Sequence, residues 1–246
     1  MQEPNDWRNL PGFLEGLKTS GRRLGRGQVE KMVRKANYGE RQGVVMDVLR
    51  RVEGTGVRLG EEAGVVREVV LGAVMRAQGG GWGLEAVEAG ARYARGVWDL
   101  LWDERHRGGK QGGLDMRKAP EVVGVMVEME AARMVKGGGD RKGELEGWVE
   151  RLLGVWARGD MELLEGDWSD ANQKLLRWAP VWHGMVLARR VLWEESRLGK
   201  ELGDKVEKDL EPVLNKARGM VAANAPEKGI RRGMKMYEQL MLEGFS

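Results

Sequence analysis

The sequence predicts an all-α protein, built as a right-handed superhelix of antiparallel helical hairpins. Apolar residues recur with a period near 3.6, no stretch alternates convincingly with period 2, and Gly-rich or Pro-marked turns separate the apolar stripes at regular intervals. We expect about nine or ten helices from this pattern. We treat 1–246 as a single helical-repeat domain, with an N-terminal extension over 1–26 and a possible subdivision near 107–118.

The apolar stripes form pairs along the chain. One of the clearest, from Val65 to Val74, follows the i, i+1, i+4, i+5 spacing of a helix face. The predicted pairs are 29–37 with 42–53, 61–77 with 84–104, 119–136 with 141–157, and 171–197 with 201–223, and a last stripe of Met234, Tyr237 and Leu240 follows. A series of hairpins, each about 35–55 residues long, is the signature of an α-solenoid.

Composition excludes several classes of protein. The net charge is only +3, so the chain is not strongly basic as a whole. There is no cysteine, which excludes disulfides and thiolate metal sites. The longest uncharged apolar runs, Val69–Met75 and Ala179–Ala188, are shorter than the roughly 20 residues of a membrane span. The first residues, MQEP, resemble no targeting signal, so a presequence for import would be absent from this chain.

The segment Gly81–Ala86, GWGLEA, fits a variant of the dinucleotide-binding fingerprint. That fingerprint requires a buried strand before its first glycine. Here the preceding run, Val65–Met75, has helical spacing and contains charged residues. In addition, a chain with 38 glycines matches a glycine-based fingerprint easily by chance. We therefore interpret GWGLEA as a turn between two helices and keep an enzyme using this segment as a remote third hypothesis.

Catalytic and metal-binding motifs are not apparent. His106 and His183 each lack a second histidine at ligand spacing, so we expect no zinc site. No nucleophile motif such as G-x-S-x-G occurs, and acidic pairs such as Glu194-Glu195 lie in the charge pattern of a solvated helix face. The sequence therefore predicts a protein without catalysis, cofactor or bound metal.

Basic residues concentrate near the N-terminus. Residues 21–58 hold ten Lys and Arg against four acidic residues, whereas 159–170 holds only acidic charge. Such a cluster favours contact with phosphates or an acidic partner, although an ordinary solvated helix surface is the alternative. The candidate contact residues are Arg22, Arg23, Arg26, Lys31, Arg34, Lys35 and Arg41.

The chain has ten tryptophans, most of them within apolar stripes where they would pack between helices. Four lie at turns or off the main stripe, where an exposed indole could anchor a protein partner or fill a loosely packed helix end. These candidates are Trp82, Trp102, Trp168 and Trp193.

Residues 27–61, GQVEKMVRKANYGERQGVVMDVLRRVEGTGVRLGE, resemble one pentatricopeptide repeat, a helical hairpin of the wider pentatricopeptide/tetratricopeptide group. The segment Arg41–Val52 and the Gly56-Val57 pair fall where that family has its second helix and its closing turn. The family reads RNA through two residues per repeat, which match Lys31 and Glu61 here. The later hairpins are similar to the group only in their pairing of helices.

The resemblance implies RNA metabolism or the ribosome of an organelle. Our first hypothesis is therefore a mitochondrial matrix factor, or otherwise a cytoplasmic one, that binds RNA or a ribonucleoprotein through the basic N-terminal hairpin. The alternative is a scaffold or assembly factor with a tryptophan-anchored groove for a partner protein or peptide. We expect neither a DNA partner nor a membrane span.

Overall fold

Helices and turns make up residues 6–107, 115–138 and 142–244, the parts of the chain that the computed structural model describes. No strand occurs among these residues, which confirms the all-α prediction. The right-handed superhelix of hairpins stays a prediction. The chain divides into two compact units, Met1–Arg117 (unit 1) and Lys118–Ser246 (unit 2).

Unit 1 pairs helices that are close in sequence. After a short 3-10 turn, Asp6–Asn9, its helices are α1 (Leu10–Thr19), α2 (Arg26–Tyr38), α3 (Gln42–Arg50), α4 (Val52–Thr55), α5 (Ala63–Gly79) and α6 (Leu84–Trp102). α1 packs on α3 and α4, α2 on α3 and α5, and α5 on α6. The valines of the predicted stripe on α5 are buried, because their spacing places them on the faces that meet α2 and α6.

The GWGLEA segment is the turn between α5 and α6. Gly81 and Trp82 both adopt left-handed backbone, with φ of 61° and 56°. The Trp82 amide donates to the Ala77 carbonyl at 2.9 Å, and Gly83 provides the N-terminal cap of α6. Helix α5 precedes this turn where the nucleotide fingerprint requires a strand, so the segment does not have the fingerprint's structure and the hairpin-turn interpretation is confirmed.

Unit 2 is organised around one long helix. Its helices are α7 (Pro120–Val135), α8 (Lys142–Val155), α9 (Trp168–Val191), α10 (Arg197–Lys205), α11 (Glu211–Asn224) and α12 (Arg232–Gly244), with a π-helical segment, Val206–Leu210, joining α10 to α11. α9 contacts α7, α8, α10, α11 and α12. It is therefore buried on most of its circumference, and its apolar residues do not form a single stripe.

Two details set the packing around α9. Gly184 lies so close to α7 that a methyl group there would be 2.7 Å from the main-chain N and Cα of Glu128. At the other end of α9, the side-chain oxygen of Asn172 accepts the amides of Gly233 and Met234 at 2.9 and 3.2 Å. These are first-turn amides of α12 without an intrahelical acceptor, so α9 caps α12 through a buried side chain.

The helix predicted over 171–197 ends at Val191, earlier than expected. Leu192 is its C-cap, and Trp193 then takes a left-handed backbone with φ of 66°. The Ser196 hydroxyl accepts the Gly199 amide at 3.0 Å and so caps α10. The charged residues after Val191 thus belong to a turn and a new helix.

Candidate nucleic-acid interface

The predicted basic residues are spread over several surfaces of unit 1. Arg22 and Arg23 are exposed before α2, whereas Lys31 and Lys35 are exposed one helical turn apart on α2. Arg41 is half-buried at the N-cap of α3. The side chain of Arg26 lies outside the described residues.

Arg34 points toward the interior of unit 1. Its guanidinium pairs with Glu30 one turn away on α2 and donates to Glu68 of α5 at 3.0 Å. Glu68 is buried, so this ion pair compensates a carboxylate that the packing of α2 on α5 removes from water. Arg34 therefore has carboxylate partners within unit 1, and its contact with an external partner stays a prediction.

Arg22 and Arg23 line a narrow cavity of about 60 Å³, together with Arg58, Glu61 and Glu62. Arg58 and Glu61 approach to 3.7 Å, an exposed pair of small energetic value. The carboxylates offset much of the local positive charge, and the cavity is far smaller than the sites that small molecules occupy. This end of unit 1 therefore offers exposed cations but no shaped site.

A much larger cavity, of about 580 Å³, lies between the 3-10 turn Asp6–Asn9, the start of α3 and the end of α5. Three arginines line it, one from each of these elements: Arg8, Arg41 and Arg76. Arg8 and Arg76 are exposed, and Arg41 is half-buried. We call this the arginine cavity.

The arginine cavity is electropositive. Among the described residues, none of its three arginines forms an ion pair with a carboxylate, although the Glu40 side chain also lines the cavity. The first turn of α3 forms part of the wall, through Gln42 and Gly43, and the helix dipole adds partial positive charge there. Glu40 itself takes a left-handed backbone, with φ of 56°, which fixes the bend that brings Arg41 to the cavity.

The half-buried indole of Trp7 and the thioether of Met75 also line the arginine cavity. The lining thus combines cations with an aromatic ring and a soft apolar side chain. Phosphates attract the guanidinium groups, and a flat π-system stacks on the indole. This combination is suited to a ligand that has both an anionic and an aromatic part.

Sequence reasoning identified only Arg41 in this cavity and missed Trp7, Arg8 and Arg76. Trp7 and Arg8 lie in the segment interpreted as an N-terminal extension, and Arg76 lies outside the basic cluster at 21–58. The sequence offered one signal for these residues, which is that they lie next to helix ends. Arg76 follows the apolar stripe of α5 near its C-terminal end, and Trp7 and Arg8 lie in the 3-10 turn that precedes α1. The convergence of these ends depends on the tertiary packing.

The tryptophan candidates differ in exposure. Trp82 is only 3% exposed, so its prediction as a partner contact is corrected: burial in the α5–α6 turn removes the surface that such a contact needs. Trp168 is half-buried at the first residue of α9. Trp102 is 50% exposed, with the Arg117 guanidinium 4.2 Å from its ring centroid, and Trp193 is 70% exposed.

Both histidines are buried inside their own unit. The His106 ring accepts the Leu59 amide at 3.3 Å, and Nδ1 of His183 lies 2.9 Å from Glu128 Oε1. Burial lowers the pKa of His106, lowers the pKa of His183 to about 3, and raises the pKa of Glu128 well above its usual value. Within the described residues, no group of three or more His, Cys, Asp or Glu side chains is arranged to hold a metal ion.

Comparison with known families identifies the group to which this helical chain belongs. A family model described as Mitochondrial ribosomal protein mS27 matches residues 1–239. The chain belongs to this family. Membership confirms the predicted mitochondrial matrix location and shows that the ribosome, a ribonucleoprotein, is the partner. The pentatricopeptide resemblance of 27–61 remains a prediction, although α2 and α3 do form adjacent packed helices there.

No curated protein matches the chain. In the described ranges, no helix is both long and apolar enough to cross a membrane.

Proposed function

We propose that this chain is a non-catalytic component of the mitochondrial ribosome that contacts ribosomal RNA through the positive surfaces of unit 1. The observation that carries the proposal is the arginine cavity, which three arginines line from three elements, none of them paired with a carboxylate of the described residues. Exposed Arg22, Arg23, Lys31 and Lys35 add cations on other surfaces of the unit. Membership of a ribosomal protein family supports RNA as the anion.

Phosphate contacts have a measurable electrostatic consequence. Each cation that neutralises a phosphate releases condensed counterions, so affinity falls as salt rises, with a slope that counts the contacts. The purified full chain should therefore bind fluorescein-labelled RNA at low salt and lose affinity steeply as KCl is increased, as measured by fluorescence anisotropy. Absence of measurable binding at low salt would contradict the proposal.

A second candidate function, contact with a neighbouring protein, is favoured by Trp193. This side chain is 70% exposed, and its backbone φ of 66° is unfavourable for a bulky residue. Exposed tryptophans often anchor protein interfaces. If Trp193 anchors a protein, Trp193→Ala should reduce co-sedimentation of the chain with its ribonucleoprotein particle, while leaving its affinity for isolated RNA unchanged.

The matched control is Trp102→Ala, which removes an exposed indole from unit 1. An equal loss of co-sedimentation with both variants would show that the effect is not specific to Trp193, and no loss with Trp193→Ala would exclude that residue as an anchor.

A further inference from the structure

The arginine cavity has the size and lining of a site for a small rigid group. Its volume of about 580 Å³ lies within the range of about 300–1,000 Å³ that small-molecule sites occupy. A double-stranded RNA surface would only touch its rim, because the cations and the indole line a recess. An unpaired nucleotide, turned out of its strand, fits such a recess.

The chemistry of the lining fits the parts of a nucleotide. Arg8, Arg41 and Arg76 suit phosphates on both sides of the nucleotide, because they line the cavity from three different elements. The Trp7 indole offers a stacking platform for the base, and Met75 offers apolar contact. Proteins that recognise unpaired RNA commonly combine such cations with aromatic stacking.

We propose that the arginine cavity receives one unpaired nucleotide of an RNA strand, with its base on Trp7 and its flanking phosphates on Arg8, Arg41 and Arg76. This inference rests on the proposed function, because RNA contact is its premise. It goes further by naming a single-stranded ligand and the side chains that bind each of its parts. The Trp7 side chain in the same lining favours a nucleotide over an acidic peptide, because a base can stack on the indole and a carboxylate cannot.

The first experiment removes the charge of the cavity. The probe is a fluorescein-labelled oligouridine of about 12 nucleotides, a length within the site sizes of single-strand binders. The full chain is compared with the triple variant Arg8→Gln/Arg41→Gln/Arg76→Gln. The control, Arg50→Gln/Arg92→Gln/Arg107→Gln, removes the same charge from exposed arginines of unit 1 that lie outside the cavity and outside the predicted RNA-contact residues.

The cavity variant should bind at least about tenfold more weakly than the control, and its salt slope should be smaller by about 2, as expected for three lost contacts on a single strand. Circular dichroism of both variants confirms that they are folded. Equal losses in the two variants would leave RNA contact intact and overturn the cavity proposal. No binding by the unmodified chain would overturn the proposed function itself.

The second experiment tests stacking. Trp7→Ala should weaken binding of the oligouridine about tenfold, whereas Trp7→Phe should retain most of the affinity, because either aromatic ring stacks on a base. Trp102→Ala, which removes an exposed indole elsewhere, should have no effect. With an abasic oligonucleotide of the same length, the loss caused by Trp7→Ala should disappear.

Two further results would overturn the proposal. One is equally tight binding of a fully paired RNA duplex, which contains no nucleotide to insert. The other is displacement of the oligouridine by a phosphoserine peptide that binds more tightly and depends on the same three arginines, which would make the cavity a protein-docking site.

Discussion

Unit 1 presents arginines around an open cavity, whereas unit 2 buries several ionisable side chains in its core. Arg8, Arg41 and Arg76 have no carboxylate partner among the described residues. Unit 2 instead buries Glu128, Glu130, Arg133 and Lys174 on α7 and α9, together with neutral His183. A buried charge or polar group requires a specific partner, and this requirement specifies how helices pack; an exposed cation requires none and remains available to a ligand.

The buried side chains of unit 2 act between elements. Lys174, almost fully buried on α9, lies 2.7 Å from an Asp160 carboxylate oxygen, and the Trp178 indole donates to the Asp160 carbonyl at 3.1 Å. The acidic segment at 159–170 is thus held against α9. In unit 1, Glu68, Tyr93 and His106 are the titratable side chains buried within the described part, so fewer such contacts determine its packing.

The largest effect on stability should follow removal of the Glu128 side chain. Glu128→Ala takes away the partner of the His183 ring and leaves a void between α7 and α9, so we expect a loss of about 3 kcal/mol in the free energy of unfolding. Glu128→Gln keeps the volume and a hydrogen-bonding group, and should lose no more than about 1 kcal/mol. Urea unfolding measures both. Equal, small losses would mean that unit 2 does not depend on this contact.

A smaller loss is expected where α9 approaches α7. Gly184→Ala places a methyl group 2.7 Å from the main chain of Glu128, and the two helices must separate, at a cost of about 2 kcal/mol. The control is Gly147→Ala on α8, where no atom lies within 4 Å of the added methyl group. That substitution should stabilise the protein by up to about 1 kcal/mol through helix propensity. Stabilisation by both variants would contradict the close approach.

The pH dependence of unfolding should reflect a neutral Glu128–His183 pair. Burial raises the Glu128 pKa well above 4.5 and lowers the His183 pKa from 6.5 to about 3, so the folded pair holds one proton from about pH 3 up to the raised pKa of Glu128. Unfolded, the two groups hold two protons below pH 4.5, one between 4.5 and 6.5, and none above 6.5. The pair therefore stabilises the fold most between pH 4.5 and 6.5, and this stabilisation declines at lower and at higher pH.

The decline is at most about 1.4 kcal/mol per pH unit, since one proton is gained or lost. In Glu128→Gln only His183 titrates, so stability should fall as the pH drops below 6.5, whereas in the unmodified chain the pair keeps it level down to about 4.5. Above pH 6.5 the variant should no longer lose stability because of this pair. The urea unfolding midpoints of Glu128→Gln and of the unmodified chain, measured on both sides of pH 6.5, show whether this difference occurs. Parallel curves above pH 6.5 would show that Glu128 is ionised in the folded protein.

The smallest effect on stability is expected in unit 1. The triple variant Arg8→Gln/Arg41→Gln/Arg76→Gln removes no ion pair among the described residues, so its free energy of unfolding should stay within about 0.5 kcal/mol of the unmodified chain. Thermal unfolding tests this alongside the RNA measurements. A large destabilisation would mean that these arginines support the fold, and would remove the contrast between the two units.

Periodicity determined the class and most of the helices. The stripe Val65–Val74 predicted a helix over 61–77, and α5 spans Ala63–Gly79, because valines four residues apart share a face whatever surrounds them. The Gly-rich turn at GWGLEA was likewise predicted from local composition. The burial of Trp82 was not predicted, because a tryptophan in a turn has the same sequence signature whether it packs inward or points to solvent.

By itself, the sequence determined an all-helical chain without cysteine, with an N-terminal excess of positive charge and a compartment implied by resemblance. These properties depend on residue types and spacing along one chain segment. Only the tertiary structure decided that α9 lies at the centre of unit 2, that Arg34 is neutralised internally by Glu68, and that Arg8, Arg41 and Arg76 share a cavity. Such contacts join residues about 30 or more positions apart, and short-range periodicity carries no information about which helix ends will meet.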